Sequence, residues 1–376
     1  MKVIFKSSKR FLNIQASNNS LSYITKETVE NKSSLLKPNS NDFINPNSDN
    51  QKVINPFDEI PSRNNLLCNL AESDIEKSFP NLQMNIPQDL LMHLQSIVSN
   101  FSNVSKCFGY GSGVFPQATK SQSKNQIDLL ISVNSPLDWH KSNIKKFPHH
   151  YSSMKYVINI PSIFEKIQGL GAGVYFNPFT QINGSEVKYG VMSNKTLLTD
   201  LQSWNTFYLA GRLQKPVMDL TPANTHNKSF DLEVSYWLER NLIAASVLAK
   251  KRSIAKYGTK FSDFQFFTEL CTLSYLGDIR FKLGGENPDK CANIVKKNLE
   301  NFHLLYDNIL NEVMIMDDSV AETYLPIGFT FNNYEDKLEQ IIGRSSLEQA
   351  VKGVFTAGVW KSYKYAWAKK MKAMKK

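Results

Sequence analysis

The run Gly109-Tyr110-Gly111-Ser112-Gly113 is followed by an acidic strand-like segment, Gln126-Ile127-Asp128-Leu129-Leu130-Ile131. Glycines let backbone N–H groups approach phosphate oxygens closely, and a serine hydroxyl adds a donor. A carboxylate on the adjacent strand can hold Mg²⁺ against the same phosphates. Gly111, Ser112 and Gly113 are therefore the candidate phosphate cradle, Ser112 and Asp128 candidate catalytic residues, and Asp128 the first candidate metal ligand. A Gly-Ser-Gly run alone is more often a plain loop, and a strand Asp can simply be solvated, so other residues must decide.

A polyphosphate also needs cations. Lys188, the third candidate catalytic residue, sits in an alternating segment, EVKYGVM, while Arg212 and Lys215 lie in GRLQKP after a small-residue turn. Arginine suits bidentate phosphate binding and lysine serves as a point charge. Tyr110 and Tyr189 are candidates to stack on a base. Asp200 in LLTDLQSW is the second candidate metal ligand, although its helical context equally suits an N–H partner or an ion pair. Asp278 in LSYLGDIR is a weaker carboxylate candidate, and His149-His150 a histidine pair that could meet phosphate.

Positioning these groups takes alternating strands and helices. Apolar spacing predicts a helix over 87–101, then strands at 104–110 and 126–133. A helix over 161–168, a strand at 173–176, an Asn-Gly turn in QINGS, a strand over 186–192 and a helix over 195–204 follow. From 231 onward the pattern is helical, at 231–252, 262–275, 289–313 and 334–350. The reading is an α/β domain over 70–228, a mainly helical domain over 229–350 and a basic amphipathic helix over 351–376. Residues 17–65, rich in Asn and Ser, bury too little apolar surface to offset their ordering entropy and read as a flexible lead.

Charge is concentrated at the ends. Residues 1–15 hold Lys2, Lys6, Lys9 and Arg10 without an acid, the composition of a mitochondrial transit segment within 1–69. Residues 352–376 hold eight lysines and no acid, so of the net +10 the body keeps about −2. A near-neutral body argues against a nucleic-acid partner. In the C-terminal segment Trp360, Tyr363, Trp367, Met371 and Met374 recur at helical steps, with Lys361, Lys369, Lys372 and Lys376 opposite and Lys364 and Lys370 adding charge. An apolar stripe with tryptophan beside a lysine face is the pattern of a helix lying on an anionic lipid surface. A helix packed on the protein body with a solvated face is the alternative. No window is apolar enough for a membrane-spanning helix. Cys68, Cys107, Cys271 and Cys291 fit no zinc spacing and suit a reducing compartment.

Gly-Ser followed by an Asp-bearing strand resembles the nucleotidyltransferase superfamily. More specifically, FGYGSGVFPQ, QIDLLISV, HHYSSMKY, GAGVYFNPF, VKYGVMS, WNTFYLAGRLQKPV, LSYLGDIRFKLGGENPDK and KGVFTAGVWKSYKYAWAKK occur in one order over most of 80–376. This set resembles the mitochondrial phosphatidate cytidylyltransferases, the translocator assembly and maintenance proteins. The resemblance implies transfer of a cytidylyl group from CTP to phosphatidic acid with Mg²⁺. It also implies a nucleotidyltransferase domain, a winged-helix-like second domain and a peripheral seat on the matrix side of the mitochondrial inner membrane. The product, CDP-diacylglycerol, would feed cardiolipin biosynthesis.

The chain departs from the superfamily at Leu130, where a second strand carboxylate is usual. An acceptor that is itself a phosphate monoester is already largely anionic at neutral pH, with a second pKa of about 6, and makes a general base less necessary. Leu130 also leaves open a non-catalytic assembly factor for mitochondrial protein import. A nucleotidyltransferase acting on nucleic acid is the other alternative.

Overall fold

The computed structural model describes residues 80, 82–115, 126–152, 154–282 and 286–357. The segments expected as transit peptide and lead, and the aromatic-lysine tail beyond 357, with Trp360, Tyr363, Trp367, Met371, Lys361, Lys364, Lys369 and Lys370, lie outside these.

Helix α1 (Gln88–Val98) precedes β1 (Lys106–Tyr110) and β2 (Ile127–Val133), which pair antiparallel. β3 (Tyr175–Ile182) and β4 (Ser185–Ser193) form a hairpin, and β4 lies parallel to β2. A two-residue strand, β5 (Met218–Asp219), pairs with β1 and completes the order β3-β4-β2-β1-β5. In β2 every residue but Asp128 is buried, as a strand covered on both faces requires. The hairpin turns on Asn183 and Gly184 at φ 47° and 75°, the expected Asn-Gly turn. β3 runs further than the 173–176 expected. It continues through an irregularity between Asn177 and Thr180, where Pro178 has no N–H to give the ladder.

The connection from β2 to β4 carries α2 (Pro136–Lys146), a 3₁₀ turn at Pro148–His150, α3 (Met154–Val157) and α4 (Pro161–Gly169). Apolar spacing does not reveal α2, because its buried residues are Trp139, His140 and Asn143. After β4 come α5 (Asn194–Ser203), α6 (Tyr208–Leu213), α7 (Lys228–Tyr257), α8 (Asp263–Leu273), α9 (Ile279–Lys282), α10 (Lys290–Ile315), α11 (Asp318–Glu322) and α12 (Tyr334–Ala357). A capping box, Ser262 with Gln265, starts α8. Among the described residues no strand follows Asp219, so nothing described there forms a wing. One hydrophobic core runs from Leu94 through Leu129 and Leu197 to Leu242, Phe302 and Leu338, so the change of pattern near 229 falls inside continuous packing.

The last helix straps this core. Ser345 donates to Thr206 O at 2.9 Å, and Gln349 donates to Val174 O at 3.2 Å while accepting from Ala172 N at 3.3 Å. Lys352 donates to Gln168 O at 2.7 Å and Leu170 O at 3.2 Å, at the end of α4. It counts with the basic tail by sequence, yet it is 1% exposed, and α12 passes through the expected boundary at 351 without a break. Burial disfavours the charged amine and pushes its pKa from 10.5 to about 7.

Between those values the unfolded chain holds a proton that the folded chain has released. Stability therefore rises with pH across that window, by at most about 1.4 kcal/mol per pH unit from this group. Urea unfolding at pH 7, 8 and 9 should show a steeper rise for the wild-type chain than for Lys352→Met; parallel curves would contradict the burial of a titrating amine.

Candidate active site

Strand register brings the chemistry together. Tyr110 faces Asp128 across β1 and β2, and Asp128 faces Lys188 across β2 and β4, so the three side chains share one row on one face of the sheet. Lys188 Nζ lies 3.5 Å from Asp128 Oδ1, with both side chains partly open to solvent. Gly111 begins the turn after β1 at φ +77°, a left-handed conformation that glycine adopts without strain. A Cβ built on Gly111 would lie 3.3 Å from Asp128 Oδ2, so the turn and the carboxylate adjoin one space. Ser112 is exposed at the tip. Gly113 serves the backbone instead. A Cβ there would collide with the Gln126 carbonyl oxygen, so its bareness lets the chain return into β2.

A wall of cations and rings rises beside the row. The Arg212 guanidinium, from α6, lies 4.5 Å from the Tyr110 ring centre, and Lys188 Nζ 4.7 Å from that of Phe176. Phe176 in turn meets Tyr208 edge-on at 6.1 Å. Tyr110 is 6% exposed, and burial pushes its phenol well above the usual range, so it stays a neutral donor. Lys215 is buried behind this wall: its Nζ donates to Gly211 O and, at 2.5 Å, to Ser274 Oγ. Burial pushes its pKa down to about 8. Sequence reasoning missed Phe176 and Tyr208. They stand in segments that carry the family resemblance, but an aromatic in a strand or helix reads as core until its cationic neighbour is known.

Several expected site residues lie elsewhere. Tyr189 follows Lys188 on β4, so it points through the opposite face of the sheet. It is fully buried, its hydroxyl accepting from Asn143 at 2.9 Å and bonded to His150 Nδ1 at 2.8 Å; it cannot stack on a base at the Asp128 row. His150 is buried on that same far side, stacked on Phe147 at 4.7 Å, and His149 meets its ring edge-on at 4.5 Å. Asp278 is held by Arg280, with Nε 3.0 Å from Oδ1 and Nη2 2.5 Å from Oδ2. Leu130 is fully buried, so the usual second carboxylate position is core here.

Asp200 is not a metal ligand in this arrangement, because its oxygens are filled by protein donors. Oδ1 accepts from Thr206 N and Oγ1, both at 2.8 Å, and from Phe207 N at 2.9 Å; Oδ2 accepts from Leu209 N at 2.7 Å and Ala210 N at 3.0 Å. The side chain thereby anchors the turn in which Trp204 and Phe207 adopt φ of 53° and 56°, and that turn launches α6 with Arg212. Asp128 is left as the candidate carboxylate, since no group of three His, Cys, Asp or Glu gathers among the described residues. Removing the anchor strands several buried N–H groups, each costing about 1–3 kcal/mol. Asp200→Ala should lower the unfolding free energy by about 3 kcal/mol or more. A loss below about 1 kcal/mol in urea titration would return Asp200 to the metal candidates.

The family model described as "Phosphatidate cytidylyltransferase, mitochondrial" matches residues 94–325 and 329–372. A relative of that name in Saccharomyces cerevisiae is 50% identical over 299 residues, spanning 79% of this chain and 74% of its own length. Another in Schizosaccharomyces pombe is 33% identical over 358 residues, spanning 79% and 87%, and one in Homo sapiens is 40% identical over 222 residues, spanning 58% and 46%. A crystal structure of a nucleotidyltransferase-like protein from Exiguobacterium sibiricum aligns with 70% of this chain and 77% of its own at a TM-score of 0.22 and 7% identity, too remote to argue from. The row, the glycine turn and the cation wall all fall inside the matched span, and the chain belongs to the mitochondrial phosphatidate cytidylyltransferase family.

Proposed function

We infer that this chain transfers the cytidylyl group of CTP to phosphatidic acid, giving CDP-diacylglycerol and pyrophosphate. Family membership supplies the reaction. The observation that carries the site is the approach of Asp128 Oδ2 to Gly111, with Lys188 at 3.5 Å alongside. In the reaction an oxygen of the phosphatidate phosphate attacks the α-phosphorus of CTP. The new P–O bond forms as the α–β bridging P–O bond breaks, and pyrophosphate leaves with the electron pair.

Each residue of the row has a place in this scheme. Backbone N–H groups of the Gly111–Gly113 turn and the Ser112 hydroxyl bind phosphate oxygens. Lys188 and Arg212 meet the charge that moves onto the leaving pyrophosphate, Arg212 held in direction by the Tyr110 ring. The attacking phosphate monoester is largely deprotonated at neutral pH, its second pKa being about 6, so no side chain need take a proton. That suits a row with one carboxylate and a buried Leu130. Mg²⁺ accepts one or two protein carboxylates when substrate phosphates supply other ligands, so Asp128 fits such an ion. Bound there it would neutralise triphosphate charge.

The relatives are named mitochondrial, and no described helix is long and apolar enough to cross a membrane. We place the protein peripherally on the matrix side of the inner membrane, held by the basic aromatic tail beyond residue 357, with its product committed to cardiolipin biosynthesis.

Purified protein given labelled CTP, Mg²⁺ and phosphatidic acid should yield a labelled lipid; label in RNA, or in nothing, would overturn the activity. Asp128→Asn should slow lipid labelling at least about 100-fold with an unchanged melting temperature. Full activity in that variant would remove the row from the mechanism. Truncation after Ala357, which spares the buried Lys352, should abolish sedimentation with cardiolipin vesicles and leave the fold intact. Undiminished sedimentation would refute the lipid role of the tail.

A further inference from the structure

The sequence offers Lys215 as a phosphate ligand, but its ammonium is turned inward. It is 5% exposed, and its hydrogen bonds go to Gly211 O and Ser274 Oγ. Ser274 Oγ also donates to Gly211 O at 2.9 Å, so one carbonyl of α6 collects two side-chain donors. The two segments meet so closely that a Cβ on Gly211 would lie 2.7 Å from Ser274 Oγ. Two of the three residues in this knot are followed directly by a cation or a ring. Gly211 precedes Arg212, whose guanidinium lies over Tyr110, and Ser274 precedes Tyr275. The Tyr275 ring has Lys215 Nζ 5.6 Å and Lys290 Nζ 4.7 Å from its centre. Lys215 therefore ties α6, which carries Arg212, to the end of α8, 59 residues on.

We propose that Lys215 is a positioning residue for the nucleotide: it touches no substrate, and by joining Gly211 to Ser274 it holds the Arg212 guanidinium over Tyr110 where the phosphates of CTP are received. The proposal rests on the reading of the Asp128 row as the nucleotide site. Neutral side chains could tie two helices without placing a second cation behind Arg212. Among the described residues this buried amine has no carboxylate partner, which costs stability, and a polyanion arriving on the other side of Arg212 would offset that cost. The arrangement is thus selective for a highly charged ligand rather than merely for a fold.

A double-mutant cycle separates positioning from direct contact and from bulk stability. Wild type, Arg212→Gln, Lys215→Met and the double variant are compared for kcat/KM with CTP, for CTP dissociation constant by equilibrium dialysis, and for urea unfolding without nucleotide. In the wild-type background Lys215→Met should lower kcat/KM and weaken CTP binding at least tenfold. In the Arg212→Gln background the same change should cost less than twofold, while its effect on unfolding is the same in both. Equal losses of binding and kcat/KM in both backgrounds would overturn the proposal, as would a loss below twofold in the wild-type background. Should Lys215→Met fail to fold, Ser274→Ala breaks the same tie and enters the cycle in its place with the same two outcomes. Failure of the wild-type protein to label lipid from CTP would refute the activity itself, which is distinguishable from equal losses in an active enzyme.

Discussion

The pairing of β2 with its two neighbours is the constraint on which the site depends. β2 is antiparallel to β1 and parallel to β4, and the two registers together set Tyr110, Asp128 and Lys188 abreast. A slip of one residue in either ladder would turn one flank to the other face, because side chains alternate along a strand. Sliding β4 would offer Tyr189 or Val187 in place of Lys188 and bury the cation among α2 and the 3₁₀ turn. The register is protected by what lies on the far face. Ile127, Leu129, Ile131 and Val133 are buried there, and Tyr189 is bonded to Asn143 and His150. Far-side packing thus fixes near-side chemistry.

The helical half then completes the site from one side. Asp200 gathers four backbone N–H groups and a hydroxyl from the turn before α6, in an environment where each unmade bond would be costly. That turn aims α6 at the row, and Arg212 reaches the Tyr110 ring from it. The strap of α12 holds the same turn through Ser345 and the α4–β3 connection through Gln349 and Lys352. Sheet and helices share one core, so the site's two walls do not rest on separate hydrophobic cores.

Much of this is legible before any coordinates, and the exceptions share physical causes. Strands β1, β2 and β4, the Asn-Gly turn and the long helices announce themselves through apolar spacing and turn residues. The glycine turn and Asp128 are legible because both are local signals on adjacent strands. Lys188 and Tyr189 cannot both face the nucleotide, being consecutive on a strand, yet only the pairing of Asp128 with Lys188 says which of them does. Asp200 passes for a metal ligand because its partners are backbone N–H groups, which no pattern of side chains records. α2 hides because its buried face is Trp, His and Asn rather than aliphatic. The inward turn of Lys215 is invisible in sequence because its partner Ser274 lies 59 residues away.

The charge of the site argues for its substrates more generally than any single contact. Lys188, Arg212 and Lys215 stand near the row against the one carboxylate of Asp128, and all three lie against aromatic rings. Like charges gathered in a partly buried setting repel, and cation–π contacts return only about 0.5–2 kcal/mol each. At Lys215 burial above all lowers the affinity for a proton, and Arg212 adds to it. On the proposed reading the enzyme must also bring a triphosphate and a phosphate monoester, which repel one another, to bonding distance. A surplus of fixed positive charge offsets that repulsion, and a second carboxylate at position 130 would add to it. The buried Leu130, which looks like a defect beside other nucleotidyltransferases, is then what a reaction between two anions requires: the acceptor brings its own negative charge, and the protein leaves that place free of any.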